Sequence, residues 1–243
     1  MATLVLTDMN VLVNGADLSG YSNKMEVSGS VDDLDKTTFA SGGWKEVAGG
    51  LESHEWDIEG FWEAGTVARP DDRLWADLGV TAAWTASSSQ VTGSPAYLGN
   101  VLSGWFKVGG EVGTLAPFMA SGRGSGRLVR GELMHPASTA RTTSSNTTGV
   151  QLGALSATQS MFCALHVCSV SGTSPTLIVK LQSSPTQGGA YADRITFTSA
   201  NAVSSQLSSV LGAVTDTWWR VQWTIGGTGG PSFLFAVAAG ISL

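Results

Sequence analysis

Apolar and polar positions alternate with a period of two through most of this chain, the spacing of strands that are wet on one face and packed on the other. Lys24–Val31 sets Met25, Val27, Gly29 and Val31 against Glu26, Ser28 and Ser30. Between Glu55 and Glu63 the odd positions Glu55, Asp57, Glu59 and Glu63 are acidic, with Phe61 the exception, while Trp56, Ile58 and Trp62 hold the even ones. The pattern predicts one face on a core and a column of negative charge on the other. Further strands are expected at Ala82–Ala86, Leu98–Val108 and Arg127–Met134, then at Phe162–Val170, Thr176–Leu181, Arg194–Thr198, Trp218–Ile225 and Phe233–Gly240. The last is apolar on both faces, which calls for burial by a neighbouring sheet or subunit.

One segment reads as a helix. Pro70 suits a first helical position, Asp71 and Asp72 suit the positive N-terminal end, and Gly79 suits the stop. Leu74, Trp75 and Leu78 are its expected buried stripe, covering an edge or open end of a sandwich. Asp32–Gly50 is too long for a hairpin turn and too polar for core, so it is expected as a long functional loop, with the next strand starting after Gly49-Gly50. Pro136–Gly149 is a run of Ser, Thr, Ala and Asn with almost no apolar anchor. It divides the chain into residues 1–135, a linker or surface loop at 136–149, and residues 150–243. Asp35-Lys36-Thr37-Thr38-Phe39 echoes Asp193-Arg194-Ile195-Thr196-Phe197, a similarity that strand composition favours over a duplication of the two halves, which stays the alternative.

Composition agrees with an all-β sandwich or barrel: 243 residues, 31 glycines, nine tryptophans and only 13% charged residues. The charge is uneven. Residues 1–133 carry 9 bases and 17 acids (9 − 17 = −8) and residues 134–243 carry 4 bases and 2 acids (4 − 2 = +2). No basic patch for gripping nucleic acid stands out. Cys163 and Cys168 fall on opposite faces of one strand, about 16 Å apart, and cannot bridge. They read as buried small hydrophobes of a reducing compartment. Met1–Met9 lacks the basic start and apolar core of a signal peptide, and no run of 18 apolar residues exists.

Catalytic signals are weak. No serine sits in a nucleophile elbow, and His54, His135 and His166 have no motif that pairs them with a nucleophile and an acid, so each reads as a surface or strand histidine. Glu55 and Asp57 could form a glycosidase pair, but four acids in a row fit a solvated strand face better than a site needing two. Gly122-Arg123-Gly124-Ser125-Gly126-Arg127 lacks both dinucleotide spacing and a P-loop lysine, and reads as a turn whose arginines could meet a neighbouring acidic surface. Three remote histidines and two cysteines do not make a zinc site. No cofactor or metal is expected, and the chain does not read as an enzyme.

The succession Val13-Asn14-Gly15-Ala16-Asp17-Leu18-Ser19-Gly20-Tyr21, a strand, Asp33-Leu34-Asp35-Lys36-Thr37-Thr38-Phe39, then Gly50-Leu51 and an acidic strand ending near Gly60 resembles the opening of major tail tube proteins from long-tailed, siphovirus-type bacteriophages. The second half is similar to the distal part of a subgroup of them. The matching segments are Ala164-Leu165-His166-Val167, Thr176-Leu177-Ile178-Val179-Lys180, Asp193-Arg194-Ile195-Thr196-Phe197, Thr217-Trp218-Trp219-Arg220-Val221 and Phe233–Ile241. The motifs are loose and span most of the chain. The resemblance implies a β-sandwich with one short flanking helix, whose copies form rings of six, or of three if the halves are duplicates. Rings then stack into a tube whose inner sheets join into one barrel.

In that family the long loop reaches the adjacent ring, which assigns Asp33, Asp35, Lys36, Thr37, Thr38, Phe39 and Trp44 to inter-ring contact. Glu26, Glu55, Asp57, Glu59 and Glu63 become candidates for the channel lining, where negative charge lets DNA pass without specific binding. Tape measure and tail-terminator proteins are the implied partners. The implied location is the virion tail, after synthesis in the host cytoplasm, with no membrane involved. The competing reading is a carbohydrate- or surface-binding β module of a virion or cell exterior, with Trp44, Trp84 or Trp105 as stacking platforms.

Overall fold

The computed structural model describes residues 7–242; the first six positions of the Met1–Met9 segment lie outside them. The first half contains β1 (Asn10–Val13), β2 (Ala16–Asp17), β3 (Ser22–Asp35), β4 (Val47–Phe61), α1 (Pro70–Ala76), β5 (Thr81–Ser87), β6 (Pro95–Val108), β7 (Pro117–Gly124) and β8 (Val129–His135). The second contains β9 (Ser145–Asn146), β10 (Val150–Gln151), β11 (Ser160–Ser184), β12 (Ala192–Thr196), β13 (Ser204–Leu211) and β14 (Trp218–Ser242). All pairings are antiparallel, and the fold is all-β with one short helix.

Strand length organises the layers. The first part of β6 pairs with β5 and β8, whereas its last residues pair with β7, so one strand serves two sheets. The sheet β3-β4-β7-β6 and the sheet built on β1, β5 and the start of β6 enclose a core of Val11, Val13, Trp56, Ile58, Trp84, Val101 and Phe118. Strands β11 and β14 pair over their whole lengths, with register breaks around Ser171–Thr176 where Gly172, Gly227, Gly229 and Gly230 have positive φ. Both arms of this ribbon send odd-numbered side chains into one core. Cys163, Leu165 and Val167 meet Leu177, Val179, Trp219, Val221 and Phe235 there, so the ribbon bends into a second sandwich.

The two sandwiches stand back to back. Even positions of β11 and β14 face the first half through small residues: Ala164 and Ala238 against Ala96 and Leu98, and Ala236 and Cys168 against Leu12. This answers the two-sided apolar pattern of Phe233–Gly240, because the chain's own two halves cover both faces. At one corner β8 hydrogen-bonds to β14, with Leu133 opposite Ala238. A Cβ on Gly131 would stand 2.0 Å from the Ala239 carbonyl oxygen, so the seam closes only because that position is glycine. Cys163 and Cys168 are free and buried in different clusters, and burial raises both thiols well above their ordinary range.

Several expectations need correction. Asp32–Gly50 is ribbon at both ends rather than loop throughout, since β3 runs to Asp35 and β4 starts at Val47, before Gly49-Gly50. Leu74 is buried, but Trp75 and Leu78 are exposed, because a helix of only seven residues turns one side chain into the core. Pro136–Gly149 is laced to β14: Arg141 pairs with Phe233, and Thr147 N–H donates to the Val221 carbonyl at 2.8 Å. Polar backbone bonds anchor this segment where apolar residues do not. The echoed segments fall on the end of β3 and the turn after it in one case, and on β12 and beyond in the other. Strands β1, β7 and β13 were not expected.

The three histidines are buried. His166 accepts the Gly15 N–H on Nδ1 at 3.3 Å, which leaves Nε2–H for Thr85 Oγ1 at 2.9 Å, so a neutral imidazole ties the two sandwiches together. Burial lowers His166 to about 3. Burial, with the Arg141 charge second, lowers His135 to about 4. Between the ordinary histidine value near 6.5 and these values the unfolded chain takes up protons and the folded chain does not, so stability falls as pH falls. Urea melts between pH 7 and 4.5 should lose about 1.4 kcal/mol per pH unit for each such histidine once below pH 6.5. Asp193 and Asp216, held below their ordinary range by hydrogen bonds from Lys180 and Ser183 respectively, lose their contribution only at lower pH. A flat profile from pH 6.5 to 4.5 would contradict this account.

Candidate assembly face and protruding arm

Strand β4 separates two chemistries. Trp56 and Ile58 are fully buried, and the Trp56 indole donates to His54 Nδ1 at 2.7 Å and meets Trp84 edge-on, with ring centroids 6.3 Å apart. Glu55, Asp57 and Glu59 point the other way. Register extends this outer face across four strands: Glu59 lies between Lys24 and Met119, with Lys107 next; Asp57 lies between Glu26 and Ser121, with Trp105 next; Glu55 lies between Ser28 and Arg123.

The column is therefore not purely negative. Lys24 Nζ sits 2.9 Å from Glu59 and 3.4 Å from Glu26, and Arg123 sits 3.0 Å from Glu55. Hydrogen bonds from Lys24 to Glu59 and then Glu26 raise its pKa above the ordinary range. Glu26, Glu55, Asp57 and Glu59 against Lys24, Lys107 and Arg123 give 3 − 4 = −1 on this face. Glu63 does not join the row; it lies past the end of β4 and pairs with Arg69 at 2.6 Å. The cations escaped the sequence reading because they stand on three other strands, and only register brings them alongside the acids.

The glycine-rich run has a packing explanation. Gly122 and Gly124 lie on β7 with their missing side chains toward the core: a Cβ would come within 2.3 Å of Val101 and 2.1 Å of the His54 ring respectively. Arg123 between them meets Glu55 of the same chain. The alternation Gly122-x-Gly124 was the signal for a strand that passes close to another layer.

Beyond Ser30 and Ser53, whose hydroxyls lie 2.9 Å apart, β3 and β4 pair only with each other and leave the body as a two-stranded arm. Six residues of ribbon reach about 20 Å. Val31, Leu34, Val47 and Leu51 are exposed along it, and Phe39 and Trp44 stand fully open at its tip. The tip is ordered locally. Thr37 Oγ1 accepts the Glu46 N–H at 2.9 Å, Thr37 N–H donates to Asp35 at 2.8 Å, and Thr38 caps a single 3-10 turn at Phe39–Ser41 that ends on Gly42 with φ 62°. Asp33 pairs with Gly49 in the shaft, and Lys36 is 3.8 Å from Glu46 at the neck. The seven residues assigned to inter-ring contact thus share one arm, and four apolar shaft residues join them.

Of the proposed stacking platforms, Trp84 is core at 1% exposure and is excluded; Trp44 sits on the arm tip and Trp105 on the charged face. Among the described residues no group of three metal-ligating side chains occurs, and no helix is long and apolar enough to cross a membrane.

No family model and no curated protein matches this chain. Solved structures do. A chain from the virion of a native gene transfer agent particle superposes at TM-score 0.40 with 16% identity, over 50% of this chain and 93% of that one. The SPP1 tail tube superposes at 0.42 with 10% identity, over 53% of this chain and 78% of its own. The SPP1 Dit protein, described as a hub of the adsorption apparatus, superposes at 0.35 with 11% identity, over 98% of this chain and 100% of its own. The overlays are loose, and what this chain does has to be read from its own geometry.

The two faces of β4 should respond oppositely to mutation. Trp56→Ala is expected to cost about 3–5 kcal/mol by emptying the core and orphaning His54 Nδ1. Asp57→Asn, on the half-buried outer face, should stay within about 0.5 kcal/mol. Chemical denaturation of both variants checks this, and equal losses would mean that the outer face is also packed.

Proposed function

We propose that this chain is a structural, non-enzymatic virion subunit. Its copies join into stacked rings that form the tail tube of a long-tailed bacteriophage, with the β3-β4-β7-β6 face turned toward the DNA channel. The observation that carries this reading is the sheet itself. Among the described residues, β3 pairs on one side only, and Trp105–Val108 of β6 pairs only with β7, so the sheet has an open edge at each end. A sheet open at both ends joins its copies edge to edge, and closing the ring removes every edge.

Strand counting favours six copies over three. Six copies of four strands make a barrel of twenty-four; at about 4.8 Å between strands and about 40° of tilt its backbone diameter is about 48 Å, and about 38 Å remains inside the side chains. Three copies lined by this sheet alone leave about 14 Å by the same reckoning. A B-DNA duplex, whose two grooves are each about 8 Å deep, is wider than the smaller bore. The face suits a sliding polyanion. Lys24 and Arg123 are already paired with carboxylates, so phosphates gain little by displacing counterions there, and the small negative balance discourages adhesion. The arm, apolar at its tip, is the element that reaches the next ring.

Phe39→Ser with Trp44→Ser should leave the melting temperature of the subunit unchanged and abolish tube formation, as seen by negative-stain electron microscopy; tubes of normal length would show that the arm is dispensable. Glu55→Lys with Asp57→Lys should still permit rings but slow DNA ejection from particles. A reconstruction that finds these side chains buried between subunits would refute the lining assignment.

A further inference from the structure

Arg141 is held more firmly than a surface arginine requires. Its backbone N–H and carbonyl both bond to Phe233, at 2.7 and 2.9 Å. Its Nε donates to His135 Nε2 at 3.2 Å, and His135 is fixed in turn because its Nδ1–H donates to the Phe235 carbonyl at 3.0 Å and its ring stacks on Phe235 with centroids 4.4 Å apart. The guanidinium lies 5.5 Å from the centre of the Trp223 ring. Nothing in this arrangement neutralises it: among the described residues no carboxylate lies within ion-pair distance of Arg141, and its two terminal nitrogens have no hydrogen-bond partner.

Arg141 lines an open cleft of about 580 Å³ at the junction of the two sandwiches. Thr92, from the turn between β5 and β6, forms one wall, and Thr143, Ser145, Asn146 and Thr147, from the segment laced to β14, form another. Among the described residues no acidic side chain lines it. Its volume falls within the range that holds small ligands, and such sites favour junctions between packed units. A guanidinium with its Nε occupied still presents two parallel N–H donors, which match a carboxylate. A single cation without a lysine or a second arginine is a poor match for a phosphate dianion. The Thr147 hydroxyl is committed to the Val221 backbone, but the hydroxyls of Thr92, Thr143 and Ser145 and the Asn146 amide, each able to donate and accept, complement a ligand that carries several hydroxyls of its own.

We propose that this cleft binds an acidic sugar unit of the uronic acid class, with its carboxylate on Arg141 and its hydroxyls on the Thr, Ser and Asn wall. The site lies away from the arm and the charged face, so its occupancy and the assembly reading stand or fall separately. The test is an NMR titration of the purified full-length protein with glucuronate, glucose and inorganic phosphate at equal ionic strength. Glucuronate should bind saturably and about tenfold or more tighter than glucose, the difference that one charge-assisted pair of hydrogen bonds provides. Arg141→Met with an unchanged melting temperature should lose that preference, and Arg141→Lys, which keeps the charge but not the fork, should fall several-fold below the native protein. If Arg141→Met does not fold, Arg141→Lys decides alone, and unchanged glucuronate affinity in it overturns the proposal. Equal affinity for glucose and glucuronate, or phosphate bound as tightly as glucuronate, also overturns it, the latter by reducing the site to a general anion trap.

Discussion

A strand presents a row of backbone donors and acceptors on each side, and a row left without partners recruits another chain. Among the described residues the β3-β4-β7-β6 sheet keeps such a row at each end, while its inner face is filled by Trp56, Ile58 and Phe118. The outer face cannot pack on a second sheet without desolvating Glu26, Glu55, Asp57 and Glu59, which is costly even for paired charges. Growth in the plane of the sheet is what remains. In the proposed assembly, edge joining would satisfy the backbone and leave the charged face wet, and a closed ring would do both with one kind of subunit.

The second sandwich bears on this through the seam. Ala96, Ala164, Ala236 and Ala238 let two layers approach closely, Gly131 lets β8 reach β14, and His166 bonds across the gap to Gly15 and Thr85. A buried neutral imidazole with both nitrogens satisfied gives the seam a register that alanine contacts alone would not fix. The second half is therefore a rigid continuation of the first, and it holds the Arg141 cleft at the junction in one geometry.

How much of this was legible in the sequence depended on how local the cause was. The two faces of β4 could be read from Glu55–Phe61 because period-two alternation is a property of one strand. The two-sided burial of β14 was readable as a need, though not as its solution. Ion pairing of the acidic row was invisible, since Lys24, Arg123 and Lys107 reach it only through register between strands far apart in sequence. β7 was hidden because Gly122 and Gly124 imitate a loop, their purpose being a close approach to Val101 and His54. The arm was mistaken for a loop because an unsupported ribbon needs no apolar face, so its polar composition carried no strand signal.

That composition also explains how the arm can be built in advance of any partner. Along the shaft Val31, Leu34, Val47 and Leu51 are spread singly among Asp, Glu, Ser and Gly, which keeps any continuous apolar patch small. The tip concentrates its two large aromatic side chains on a turn stiffened by Thr37, Thr38 and Gly42. Aromatic rings on an ordered turn lose little conformational entropy when they are buried. A subunit carrying such a tip can stay dispersed while alone, and it gains most from contact where a complementary surface is presented in a fixed position, as a completed ring of the proposed tube would present it.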